Sequence, residues 1–204
     1  MIFTQEDIKK AVPDCEFYDF PSDWNSNGFS FNVAWMDKKS KYLLLMKDDG
    51  VDFGIKPDDL NKFLNYASAI VTRRHVDCYK KYNKPIIKIN SMNKSIIQLG
   101  EYVRNKYQHR AIAVTGSCGK TTTCSILKNL FQEFGCDLNE HGNTLRGISW
   151  SLTNYNLDSK YWLFEAALSG LEQESSKVIR PYYSIITNVE IYYSINDNMI
   201  KNFE

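Results

Sequence analysis

The chain has 204 residues, enough for one large domain or two small ones, and its 43% hydrophobic and 24% charged content is that of an ordinary globular protein. Its 25 basic and 24 acidic side chains nearly cancel, which excludes a partner captured by bulk charge, nucleic acid included. The longest apolar runs, such as Tyr42–Met46, are too short to span a bilayer, and the opening MIFTQEDIKK puts acidic residues where a signal peptide needs basic and then apolar ones, so a cytoplasmic location is expected.

In chain order, Thr4 and Asp7 form a capping-box pattern that opens a short helix ending at Pro13. Tyr42–Met46, Ala69–Thr72 and Pro85–Ile89 read as strands, being short apolar or β-branched runs with polar flanks. Between the first two, Pro57–Ala67 carries Leu60, Phe63, Leu64 and Ala67 at helical spacing, and Ser95–Tyr107 aligns Ile96, Leu99, Val103 and Tyr107 on one helix face. The polar stretch Asn105–Arg110 closes this first unit, and a boundary is expected near residue 108, giving domains 1–108 and 109–204.

The second unit begins with the strand Ala111–Val114 and the turn Thr115–Gly119. A helix follows whose buried stripe is expected to be Leu127, Leu130, Phe131 and Phe134, with Gly135 as its stop. Strands at Tyr161–Ala167 and Tyr182–Val189 bracket a helix at Leu171–Ile179. The expected fold class is α/β: a small α/β N-terminal domain, then a P-loop parallel sheet, apparently incomplete, with helices on both faces and its ligand crevice at the C-terminal ends of the strands. The five cysteines are odd in number and contain no CxxC pair, so reduced, non-metal thiols are expected. His75 and His109 read as surface residues and His141 as structural.

The strongest chemical signal is Thr115-Gly116-Ser117-Cys118-Gly119-Lys120-Thr121-Thr122-Thr123. A triphosphate needs close backbone approach, many N–H donors and compensating charge. Gly116 and Gly119 allow the turn, the exposed N–H groups and helix dipole face the anion, Lys120 reaches the terminal phosphates, and the Thr121 hydroxyl joins a magnesium shell. The general P-loop pattern wants glycine where this chain has Val114. The plainer reading is a helix capped by Thr115 or Ser117 after a buried strand.

TGSCGKTTT resembles the TGxxGKT(T/S) loop of the Mur ligases, in which Val114 is no anomaly. Three further segments follow in the family's order. His141–Ile148 resembles its Gly-Asn segment, Phe164–Gly170 its strand ending in a magnesium-binding glutamate, and Arg180-Pro181 with Ser184–Val189 its "P…ITN(V/I)" strand. Upstream, Asp49–Phe53 and the elements after it look like the substrate-binding N-terminal domain of the MurF type.

The resemblance implies ATP-dependent amide ligation. A substrate carboxylate, on a nucleotide-sugar peptide or similar cell-wall or surface-polymer precursor, is phosphorylated, and the amine of an amino acid or dipeptide then displaces phosphate. Lys120 and Glu165 would be catalytic. ATP would be held by Thr115, Gly116, Ser117, Cys118, Gly119, Lys120, Thr121, Thr122 and Asn188, magnesium by Thr121 and Glu165, and substrate by Asn143 and Arg146. Each also has a plainer role: Glu165 as a helix cap, Asn143 as a turn residue, Arg146 as a surface or ion-pair arginine, Cys118 as a small loop residue. Tyr193 stands where the family places a histidine for a second magnesium, and the chain stops at Glu204 inside what resembles a middle-domain helix. The alternative is therefore a non-catalytic nucleotide- or UDP-sugar-binding remnant. A kinase or GTPase fits less well, because no NKxD stretch is present.

Overall fold

The computed structural model describes residues 2–32, 34, 36, 40–48, 53–139, 142–167 and 175–189. Asp49–Asp52, His141, Leu168–Gly170, the first part of the expected helix at Leu171–Ile179, and Tyr193 lie outside them.

The chain opens with strand β1 (Phe3–Thr4) and helix α1 (Gln5–Ala11). The capping box is present: Asp7 N–H donates to Thr4 Oγ1 at 3.2 Å and Thr4 N–H donates to the Asp7 carboxylate at 2.9 Å. Acidic residues fill the first turn and Lys9 and Lys10 the last, which suits the helix dipole at both ends. After β2 (Glu16–Tyr18), β3 (Asn25–Ser26) and β4 (Phe29–Ser30) come β5 (Tyr42–Leu45), β6 (Ala67–Thr72) and β7 (Ile86–Lys88). They form a five-stranded sheet of order β2-β7-β6-β5-β4, antiparallel only at its β2 edge, while β1 pairs with β3 separately. The expected helix at Pro57–Ala67 is divided: two 3₁₀ turns flank α2 (Leu60–Phe63), and α3 (Asp77–Lys80) is a single turn.

Alternation along the strands gives this sheet two apolar faces. Tyr42, Leu44, Met46, Ile70 and Ile86 pack with Leu60, Val76 and Tyr79 on one side. Leu43, Leu45, Val71, Ile87 and Ile89 pack on the other with Ile8 and Val12 from the α1 region, and with Ile96, Leu99 and Val103 from α4 (Met92–Lys106). Ser91 caps α4, its hydroxyl accepting from Lys94 N–H at 3.4 Å.

The second sheet, of order β11-β8-β10-β9, comprises β8 (Arg110–Thr115), β9 (Cys136–Leu138), β10 (Tyr161–Glu165) and β11 (Tyr183–Ile186), and every pairing in it is parallel. Helix α5 (Lys120–Leu130) covers one face, where Cys124 and Leu127 meet Ile112, Val114 and Leu163. Helices α6 (Leu145–Asn154) and α7 (Ser175–Ile179) cover the other, with Ile148, Leu152, Val178 and Ile179 against Ala111, Trp162 and Phe164. The stripe expected on α5 is narrower than its spacing suggests. Leu127 and Phe131 are half-buried, but Leu130 and Phe134 are 67% and 54% exposed; α5 ends at Leu130, short of the expected stop at Gly135, and Phe134 lies in a separate 3₁₀ turn, Gln132–Phe134. His109 is not a free surface residue either: its ring lies 4.3 Å from that of Trp162.

One apolar core runs through α1, α4, α6 and α7 and touches both sheets. The α4–α6 contact is close because Gly100 has no side chain: a Cβ there would stand 2.8 Å from the Cβ of Ser149. Arg104 stitches the same layer, its buried guanidinium donating to the carbonyls of Ile179 at 2.6 Å, Tyr107 at 3.1 Å and Arg180 at 3.1 Å.

Candidate functional site

Because the second sheet is parallel, all four of its strands end on one edge. The residues that end them are Thr115 from β8, Asn139 after β9, Glu165 from β10 and Thr187-Asn188 after β11. This is the edge where a parallel sheet places its ligand.

The turn after β8 is built against β11. Gly116 has φ +137°, and a Cβ there would fall 2.2 Å from Thr187 Oγ1, so no other residue fits without displacing the loop. Gly119, with φ +78°, turns the chain into α5, whose first residue is Lys120. The Thr187 hydroxyl lies 3.1 Å from Thr115 O and 2.5 Å from Cys118 O, and Thr187 N–H donates to Thr115 O at 2.9 Å. Asn188 continues the clamp: its carbonyl accepts from Ser117 N–H at 3.1 Å, its Oδ1 accepts from Cys118 N–H at 2.9 Å, and its Nδ2 donates to Cys118 Sγ at 3.0 Å. The Lys120 amino group donates to Gly116 O at 2.7 Å, so it is folded over the loop it belongs to. Thr121 and Thr122, in the first turn of α5, are exposed.

Glu165 pairs with Val114 in the ladder, one residue before the loop. Alternation puts it on the α5 face with Tyr161 and Leu163. The electrostatics agree: burial pushes the Cys124 thiol on α5 up to about 12, and the nearby Glu165 charge adds to that shift. Asn143 reaches the same carboxylate, its Nδ2 donating to Glu165 Oε1 at 3.3 Å, and its carbonyl accepts from Ala167 N–H at 3.0 Å. Arg146 takes another direction. Its guanidinium carbon lies 4.5 Å above the Phe53 ring, a cation–π contact with the first half of the chain. Phe53 in turn lines an open groove of about 390 Å³ with Phe31, Ile55, Lys56 and Phe63.

The structure thus gathers the loop Thr115–Thr122, Lys120, Glu165, Asn143 and Asn188 on one edge, and sets Arg146 on the wall toward the first sheet. Sequence reasoning passed over two residues. Thr187 clamps the loop. Asn139 is 5% exposed and binds the backbone of Glu165. A polar side chain at the end of an apolar strand was the signal for Asn139, and Thr187 lay within the Ser184–Val189 segment with no role given to it. A magnesium ion suits this donor set. The Thr121 hydroxyl and Glu165 carboxylate are hard oxygen ligands of the kind magnesium prefers.

A strand, a glycine-punctuated turn, a lysine-headed helix and an acidic residue on the adjacent strand end define an α/β protein of the P-loop class. Comparison with known proteins narrows this. Residues 114–191 match the family described as the Mur ligase middle domain. The UDP-N-acetylmuramoyl-tripeptide–D-alanyl-D-alanine ligase of Rickettsia prowazekii is 26% identical over 195 residues, 88% of this chain and 42% of that protein. The UDP-N-acetylmuramate–L-alanine ligase of Wigglesworthia glossinidia brevipalpis is 34% identical over 122 residues, 54% of this chain and 21% of that one. Among solved structures, MurF from Acinetobacter baumannii superposes over 91% of this chain and 41% of its own, with TM-score 0.72 and 17% identity. The MurF ligase of Thermotoga maritima in complex with ADP matches 79% of this chain and 37% of its own, with TM-score 0.59 and 23% identity. The chain is thus similar to Mur ligases, with the middle-domain match at residues 114–191. It spans less than half the length of these relatives.

Proposed function

We propose that this chain supplies the nucleotide site, and the unit beside it, of an ATP-dependent amide ligase that works through an acyl phosphate on a cell-wall or surface-polymer precursor in the cytoplasm. In this reading residues 109–204 carry the ATP site and residues 1–108 face the nucleotide-sugar peptide or similar carboxylate. The observation that supports it most is the joint placement of the clamped loop Thr115–Thr122 and the Glu165–Asn143 pair on one sheet edge.

The loop N–H groups that Asn188 does not engage and those at the start of α5 would receive the phosphates, and Lys120 would exchange its contact with Gly116 O for the transferring phosphoryl group. Thr121 and Glu165 would hold a magnesium ion, which supplies charge neutralisation on the phosphates. Asn188 acts by holding the loop at Ser117 and Cys118. Asn143 orients the Glu165 carboxylate and faces the acceptor side, where Arg146 lies on the wall toward the first sheet. Catalysis then consists mainly of positioning and neutralising charge, as expected for phosphoryl transfer.

The test is ATP turnover by the full-length protein, with a carboxylate precursor and an amine added together and singly. Phosphate release that requires both, and that Lys120→Ala abolishes, is the expected result. Equal turnover without either would remove the ligase reading, and saturable Mg-ATP binding without any turnover would leave a binding remnant.

A further inference from the structure

We infer that Asn139 is a positioning residue for the magnesium–nucleotide site: its buried carboxamide sets the backbone of Glu165 and, with it, the loop that delivers Asn143. The inference rests on the reading of Glu165 as a magnesium ligand.

The need for such a residue lies in the geometry of the sheet. The β9–β10 ladder ends at Leu138 opposite Leu163, with one further bond from Asn139 N–H to Leu163 O at 3.2 Å. Beyond that point the N–H and C=O of Glu165 meet no further rung of the β9 ladder among the described residues. On the other side of β10 the ladder continues, Ala166 N–H donating to Val114 O at 2.9 Å. The side chain of Asn139 takes the place of the missing strand. Its Oδ1 accepts from Glu165 N–H at 2.6 Å, and its Nδ2 donates to Glu165 O at 2.9 Å. The second Nδ2 hydrogen goes to Gly142 O at 3.0 Å, the carbonyl immediately before Asn143.

One acceptor and two donors are all matched, and only this orientation of the amide satisfies the three backbone groups. A single buried side chain therefore fixes both partners of the Asn143–Glu165 contact, one through its own backbone and one through the preceding peptide. Removing it leaves three backbone groups unpaired inside the fold, and the carboxylate loses its fixed height above the edge. Groups that hold a ligand's support in this way typically alter metal affinity by about 10- to 100-fold when removed.

The experiment is a magnesium titration of full-length protein at fixed concentration of a fluorescent ATP analogue, with thermal unfolding of each variant alongside. Asn139→Ala is expected to raise the magnesium concentration at half-saturation about tenfold or more. The same change made on a Glu165→Gln background is expected to add nothing, since Asn139 acts through that carboxylate. Asn139→Asp keeps the volume and the acceptor but loses both donors, so it should show the same shift if the alanine variant fails to fold. A normal magnesium curve in the Asn139 variants, or an undiminished effect on the Glu165→Gln background, overturns the inference and leaves the site reading standing. If the unsubstituted protein shows no magnesium-dependent binding, or Glu165→Gln leaves its curve unchanged, the site reading falls and the inference falls with it.

Discussion

Gly116 and Thr187 are packed so closely that a methyl group on residue 116 would lie 2.2 Å from the Thr187 hydroxyl. The loop Thr115–Thr122 is therefore shaped as much by the end of β11 as by its own sequence. Gly116→Ala should weaken Mg-ATP binding more than tenfold and lower stability by about 1–3 kcal/mol, since alanine at φ +137° is strained as well as crowded. Adding Thr187→Ala should return part of the stability and little of the binding, because the clash is relieved while the hydroxyl clamp is lost. Calorimetric binding and urea unfolding of the two variants check both halves.

Thiol reactivity offers an independent view of the same loop. Cys78 and Cys118 are exposed, whereas Cys15 and Cys124 are buried, with Cys124 pushed up to about 12. A small alkylating reagent at neutral pH should label Cys78 and Cys118 and spare the buried pair, as read by peptide mass spectrometry. Mg-ATP should protect Cys118 and leave Cys78 unchanged. Equal labelling of Cys118 with and without nucleotide would count against a nucleotide in this loop.

Asp7 predicts the acid limb of the stability curve. Burial acts to raise its pKa, but hydrogen bonds from Lys106, Tyr102 and Thr4 outweigh it and hold the carboxyl well below the usual range. Its Oδ1 lies 2.8 Å from Lys106 Nζ and also accepts from the Tyr102 hydroxyl, tying α1 to α4. A carboxyl with a depressed folded-state pKa stabilises fully above its unfolded value of about 4 and loses that stabilisation as pH falls toward the folded value. Asp7→Asn should therefore cost roughly 1–3 kcal/mol at pH 7 and much less near pH 2, measured by urea unfolding across that range.

Arg104 has three carbonyl partners, and no carboxylate contributes to its pKa shift, which comes from burial and then from Arg180. The planar fork of arginine is what reaches Ile179, Tyr107 and Arg180 together. Lysine would keep the charge and lose the fork. Arg104→Lys should destabilise by roughly 2–4 kcal/mol by leaving buried carbonyls unpaired, visible as a lower urea midpoint with an unchanged slope.

The grouping of the candidate site was legible in the sequence because a strand, a glycine turn and a helix at fixed spacing mark such a loop. Gly116 and Gly119 take the positive φ that the turn requires, Lys120 opens α5, and Glu165 and Asn188 lie on the same sheet edge, as the order of the segments led one to expect. Packing was less visible. Helix α6 reads Leu-Arg-Gly-Ile-Ser-Trp-Ser-Leu-Thr-Asn, poor in strong helix formers, and it exists because Gly100 lets α4 lie against it. The short strand β9 has three residues and no period to detect, and missing it hid the contacts of Asn139 with the Glu165 backbone. Arg146 was placed toward substrate from its motif, whereas its contact with Phe53 depends on a residue 93 positions away that no local pattern reveals.

The Arg104 stitch has a consequence for synthesis. Arg104 leaves the ribosome about 75 residues before the Ile179 carbonyl that accepts from its Nε, a separation set by the chain itself. Until α6 and then Ile179 follow, the outer side of α4, with Gly100 and the Arg104 guanidinium, lacks the partners it has in the complete fold. The first half thus depends on the second for the covering of α4, so the strands that carry the candidate site also complete the core of the N-terminal half.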